Sequence, residues 1–63
     1  METPEEWAER NAGYFDPPDA AVVGMILASW RVAAGLALGR DDIELAAAFA
    51  AGARTLLLCS PYN

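Results

Sequence analysis

Residues 20–58 read AAVVGMILASWRVAAGLALGRDDIELAAAFAAGARTLLL, and this stretch decides the fold. It holds six charged residues in 39 positions, and three of the six are adjacent at residues 40–42. A helix that is apolar on every side must be buried against something. The stretch therefore predicts two apolar helices, separated by a short polar turn that folds them into an antiparallel hairpin.

A shorter helix is predicted ahead of the hairpin. Residues 3–6, Thr-Pro-Glu-Glu, combine an N-cap threonine, a proline at the first helical position and a glutamate that closes a capping box. Gly13 is suited to a left-handed helix end, which places this helix at about residues 4–12. Its docking side is expected to carry Trp7, with Tyr14 following on the same side.

The two long helices have start and stop signals of their own. The second helix is predicted at about residues 18–38, with Gly39 ending it, and the third at about residues 42–59. Asp41 is expected to cap the third helix, with Glu44 completing a second capping box.

Length and composition limit how this domain is stabilised. Residues 1–63 form a single small domain, which is 56% hydrophobic and has one cysteine and no histidine. A chain of this size buries only about 60% of the surface that its unfolded form exposes. An internal disulfide and an ordinary zinc site are both excluded, and Cys59 is expected to be a small buried hydrophobe. Oligomerisation is the remaining source of stability.

The predicted fold class is therefore all-α: a short N-terminal amphipathic helix plus a long antiparallel helical hairpin, assembling into a homo-oligomeric helical bundle. One partner helix covers only one side of each long helix, so at least one apolar strip stays exposed and marks an association site. The second helix has one apolar side with Val22, Val23, Ile26, Leu27 and Trp30 and a neighbouring strip with Met25, Val32 and Leu36, and the pattern does not decide which of them is exposed. The residues predicted for the oligomer interface are Val22, Ile26, Trp30, Phe49 and Leu56.

The net charge of −5 belongs entirely to residues 1–19, which hold six acidic residues and one arginine. Residues 20–63 are neutral, and the absence of a basic patch argues against direct nucleic-acid binding. Four glutamates recur along one face of the first helix, where Glu6 is also spaced to pair with Arg10. This face is either a solvated surface that satisfies the helix dipole or a docking surface for a basic protein. The second interpretation assigns partner binding to Glu5, Glu6 and Glu9.

Catalytic chemistry has little support in this composition. The chain has no histidine and no lysine, and its serines have no base at helical spacing. We therefore predict no catalytic residue, no metal ligand, no cofactor and no enzymatic activity.

Arg31 interrupts the apolar second helix and has three interpretations. Its guanidinium extends to water, pairs with a glutamate of the first helix, or joins Arg54 in an anion pocket between subunits. A planar guanidinium suits a carboxylate or a phosphate, so the third interpretation allows capture of a small anion such as a nucleotide.

A membrane-associated hairpin is a further alternative. Residues 20–39 are long enough to span a bilayer, and Gly24 with Ala28, like Gly35 with Gly39, follows the small-xxx-small pattern of membrane helices. An arginine in the middle of the span opposes insertion. Close packing between soluble helices is the preferred explanation of these small residues.

The leading functional hypothesis is a non-enzymatic helical binding module that acts stoichiometrically on a protein partner as a homo-oligomer. Small accessory, adaptor and phage-type inhibitor proteins work in this way. The alternatives are the oligomer that captures a small anionic ligand and the membrane-associated hairpin. A cytoplasmic location is expected, because the acidic N-terminus lacks the positive region of a secretory signal and the single cysteine fits a reducing compartment.

Overall fold

The computed structural model of the protein describes residues 1–59, apart from the side chain of Pro17. These residues form three α-helices and no β-strand, which confirms the all-α class. The helices are α1 (Pro4–Asn11), α2 (Ala20–Gly39) and α3 (Ile43–Cys59). Two short 3₁₀ turns, Ala12–Tyr14 and Pro17–Asp19, connect α1 to α2.

The start of α1 is the capping box that the sequence predicts. The Glu6 backbone N–H donates to the Thr3 hydroxyl at 3.2 Å, and the Thr3 backbone N–H donates to Glu6 Oε1 at 3.1 Å. The predicted left-handed ending at Gly13 is wrong, because no glycine in residues 1–59 has a positive φ. The chain instead tightens into the 3₁₀ turn, in which the Phe15 N–H donates to the Ala12 carbonyl.

The turn between α2 and α3 uses different residues from those predicted. Gly39 stays within α2, and the residue in the left-handed conformation is Asp41, with a φ of 59°. Aspartate tolerates this conformation better than most residues, because its short polar side chain can form hydrogen bonds with nearby backbone groups. The N–H groups of Asp41 and Asp42 donate to carbonyls of the last turn of α2, which is a Schellman ending.

The cap of α3 is consequently Asp42 and not Asp41. Asp42 Oδ1 accepts a hydrogen bond from the Leu45 N–H at 3.1 Å, and the predicted pairing of Asp41 with Glu44 does not form. The left-handed Asp41 shifts the first helical position to Ile43, which brings the next aspartate into the N-cap position.

Helix α3 is the central element, because it contacts both α1 and α2. The buried cluster joins Ala8 and Ala12 to Val23 of α2 and Leu56 of α3. This cluster places α1 over the N-terminal half of α2 and the C-terminal half of α3.

Aromatic side chains surround this cluster. The Trp7 ring meets Trp30 edge to face, with centroids 5.8 Å apart, and lies 6.4 Å from Phe15. Tyr14, which was expected on the docking side, is 80% exposed, and Phe15 packs there in its place. The irregular link after Ala12 therefore turns Phe15 inward and Tyr14 outward.

Helices α1 and α3 approach each other closely at Gly52 of α3, which is buried beneath the start of α1. A Cβ atom at this position would lie 2.9 Å from the Pro4 carbonyl carbon, 3.2 Å from the Glu5 nitrogen, and within clashing distance of the Pro4 Cβ. Two of these three neighbours are backbone atoms, so they cannot move without displacing α1. Only glycine permits this contact.

Replacing Gly52 with alanine is therefore expected to lower the free energy of unfolding by about 1–3 kcal/mol, the usual effect of overpacking. The matched control is Gly24→Ala in α2, where a Cβ meets no atom within 4 Å. That substitution is expected to stabilise the chain by about 0.5–1 kcal/mol through helix propensity. Urea unfolding followed by circular dichroism measures both changes, and equal effects at the two positions would contradict the contact at Gly52.

Candidate interaction surface

One side of α2 is not covered by any part of residues 1–59. Of the twenty residues of α2, only Val23 and Ala37 are buried. Six exposed residues recur at alternating intervals of three and four, which aligns them along one side of a helix. We call these six residues the α2 seam: Val22, Met25, Ser29, Val32, Leu36 and Gly39.

The large members of the α2 seam are well exposed. Met25 is 72% exposed, Val32 62% and Leu36 65%. The seam extends along the whole helix, about 30 Å at 1.5 Å per residue. A continuous apolar surface of this kind is typical of an association site.

The five residues predicted for the oligomer interface do not share one surface. Val22 lies on the α2 seam, whereas Ile26, Trp30 and Phe49 are partly buried beside the core or in a groove. Leu56 is fully buried within a single chain, where it belongs to the cluster with Ala8 and Ala12, so it has no surface left for a second copy. The sequence identifies the apolar strips, but the docking position of α1 decides which strips are covered.

An apolar groove of about 330 Å³ runs between α2 and α3, on a different side of α2 from the seam. Its lining residues are Leu27, Trp30, Arg31, Ala34, Phe49, Ala50, Ala53 and Leu57. Arg31 brings the only charge to this groove, and within residues 1–59 it forms no ion pair. Arg54 is exposed but does not line the groove, so the two arginines do not meet in one pocket of a single chain.

The four glutamates of the α1 face have different roles. Glu2 forms an ion pair with Arg10 at 2.6 Å, so the predicted pairing of Glu6 with Arg10 is wrong. Glu6 is held by the capping box instead. Glu5 and Glu9 are exposed, and no hydrogen bond or ion pair engages their side chains within the described part of the chain. Of the three predicted partner-binding residues, these two present unengaged carboxylates.

The capping box also changes the titration of Glu6. The hydrogen bond from the Thr3 backbone N–H to the Glu6 carboxylate, with a smaller effect of the nearby Thr3 hydroxyl, lowers the pKa of Glu6 below the ordinary value of 4.5. A carboxyl group whose pKa is lowered by folding stabilises the folded state above its unfolded pKa. That contribution is lost as the pH falls through the lowered pKa.

We therefore expect part of the acid sensitivity of the protein to come from Glu6. In Glu6→Gln the amide still closes the capping box but does not titrate, so its stability should fall less than that of the parent chain below pH 4.5. Urea unfolding midpoints across an acidic pH series measure the difference. A Glu6→Gln profile that matches the parent would contradict this role of the capping box.

The structure corrects the prediction for Cys59 and limits the one for the small residues of α2. Cys59, expected to be buried, is an exposed thiol at the last residue of α3. The glycines of the small-xxx-small pattern, Gly24, Gly35 and Gly39, have no neighbouring atom within 4 Å of a Cβ position. They therefore do not provide close packing inside the chain, a role that belongs to Gly52.

Within residues 1–59, α2 is the one helix that is long and apolar enough to cross a membrane, with a mean hydropathy of 1.8. This property reflects length and composition alone, and a core helix of a soluble protein can share it. In the same residues, no group of three histidine, cysteine or acidic side chains is placed to hold a metal ion.

The chain matches no protein-family model, no curated protein and no solved structure. Its surfaces therefore supply the grounds for a functional proposal.

Proposed function

We propose that the protein is a non-enzymatic helical binding module that forms a homo-oligomer and acts stoichiometrically on a protein partner. The observation that carries this proposal is the uncovered apolar side of α2, where Met25, Val32 and Leu36 face solvent. The residues of this surface are uncharged and mostly apolar, a composition that suits association.

The size of the hydrophobic effect supports association. Full burial of a Val, Leu or Met side chain is worth about 1.5–3 kcal/mol. A domain this small has a total stability of roughly 5 kcal/mol. Covering several exposed members of the α2 seam therefore contributes as much as the rest of the fold, and association stabilises the native state by mass action.

The proposed module contains α2 and α3 as an antiparallel hairpin. Only Arg40, Asp41 and Asp42 separate the two helices, which contact each other. The Schellman ending of α2 is followed directly by the Asp42 cap of α3, so the loop between the two helices is short. Helices joined by so few residues pack as antiparallel neighbours.

The acidic face of α1 is the proposed surface for the partner. Glu5 and Glu9 present unengaged carboxylates in a segment whose net charge is −5. Such a surface accelerates encounter with a basic partner and selects against acidic ones. An accessory, adaptor or inhibitor protein acts in this way when it occupies a surface that its partner needs.

Charge reversal tests this docking surface. Glu9→Lys and Glu44→Lys each change the net charge from −5 to −3, but only Glu9 lies on α1. When the immobilised protein is exposed to cell extract, we expect a basic protein to be captured by the parent chain and by Glu44→Lys. Capture should fall several-fold with Glu9→Lys and with added salt, because salt screens exposed charges. Equal capture by the two variants would exclude α1 as the docking surface.

A second candidate function is capture of a small anion, and the position of Arg31 favours it. The groove between α2 and α3 is apolar except for this guanidinium, which has no carboxylate partner in residues 1–59. A ligand with an apolar body and one anionic group would match both features.

Decanoate is a suitable probe of the groove, with Trp30 fluorescence as the signal. Arg31→Gln is expected to weaken its binding about tenfold or more, since hydrogen bonds to charged groups contribute about 1.5–3 kcal/mol. Arg54→Gln removes the same charge outside the groove and should leave binding unchanged. Equal affinities of all three proteins, or no binding by the parent chain, would contradict this second candidate.

A further inference from the structure

We propose that the α2 seam pairs with the α2 seam of a second copy of this chain, with the two helices running antiparallel. The inference rests on the homo-oligomer of the proposed function and supplies its geometry. Two properties of the seam indicate a second copy as its partner: its lack of charge and the sizes of its side chains. The position of acidic residues outside the seam indicates the direction of pairing.

The seam calls for an apolar, uncharged partner. Its six residues carry no charge, and Arg31, the single charged residue of α2, lines the groove on another side of the helix. A second copy offers an identical uncharged surface. The acidic face of α1, in contrast, would leave carboxylates unpaired against it.

The side chains of the seam fit one another in the antiparallel direction. When the two-fold axis passes between positions 30 and 31, Val22 faces Gly39 of the second copy, and Ser29 faces Val32. Met25 then faces Leu36 of the second copy, so each pairing except this one joins a large residue to a small one. The space at Gly39 is open, because a Cβ there meets no atom within 4 Å. These pairings are the layers of an antiparallel coiled coil.

The charge distribution selects the antiparallel direction over the parallel one. The Trp7–Trp30 contact places the middle of α1 near the middle of α2, whereas the link that follows α1 ends at Ala20 and so places Asp16 and Asp19 at the N-terminal end of α2. Parallel pairing would bring the Asp16 and Asp19 carboxylates of both copies to the same end of the dimer. Antiparallel pairing moves them toward opposite ends of a helix about 30 Å long, well beyond the screening length of about 8 Å. Antiparallel pairing also places the positive N-terminal end of each helix dipole beside the negative C-terminal end of the other, which is favourable.

Disulfide crosslinking tests both the surface and the direction. In a Cys59→Ser background, the variant Met25→Cys with Leu36→Cys is expected to form a covalent dimer under mild oxidation. Met25→Cys alone should not, because its two copies lie about 16 Å apart along the seam, and disulfides need Cα atoms within about 7 Å. Efficient crosslinking by Met25→Cys alone would establish parallel pairing and overturn the proposal, as would failure of the double variant to crosslink.

Charge insertion provides a test that does not depend on oxidation. Val32→Glu and Ile43→Glu introduce the same charge at positions that are 62% and 63% exposed. Only the first lies on the seam, and both chains should fold, as circular dichroism would verify. Sedimentation at micromolar concentration is expected to give dimers of the parent chain and of Ile43→Glu, and monomers of Val32→Glu.

The outcomes separate this inference from the proposed function. A dimer that persists in Val32→Glu would overturn the seam and leave the homo-oligomer intact, with another surface responsible. A monomeric parent chain would overturn both. Binding of that monomer to phosphatidylcholine vesicles would assign the apolar side of α2 to a lipid surface instead.

Discussion

The amount of apolar surface on α2 exceeds what the other described elements cover, and this imbalance is the main constraint on the architecture of residues 1–59. Helix α3 contacts both other helices, although Ile43, Leu57 and Leu58 remain exposed. Helix α2 has α3 on one side, and α1 meets it only at Val23 and near its middle, where Trp7 contacts Trp30. The opposite side, with Met25 and Val32, is not covered by any element of residues 1–59. The hydrophobic effect gives such a surface a reason to associate, and the proposed homo-oligomer rests on this exposure.

The acidic residues of α1 divide between folding and surface charge. Glu6 and Glu2 are engaged within the chain, one in the capping box and one with Arg10, and they help to hold an eight-residue helix that would be marginal alone. Glu5 and Glu9 remain free to act outward within the described structure. The same short helix therefore packs against the core and presents charge on its outer face.

Local signals were predictable from the sequence, and signals that depend on tertiary contacts were not. The capping box at Thr3 was predicted correctly because it involves residues three apart. The cap of α3 was misplaced by one residue, since two adjacent aspartates offer the same chemistry and the left-handed Asp41 decides between them. The burial of Leu56 and the exposure of the Met25 strip depend on where α1 docks. That position is fixed at Gly52, which the alanine-rich sequence around it does not distinguish.

The contact at Gly52 also constrains how this protein can diverge. The main chain of Pro4 and Glu5 fills the space above that residue, so the chemistry of their side chains matters less there than the missing side chain opposite. A side chain at residue 52 would displace the main chain of the first helix and lower stability, unless compensating changes accompany it. The main chain of Pro4 and Glu5 and position 52, almost fifty residues apart in sequence, are therefore coupled through one contact.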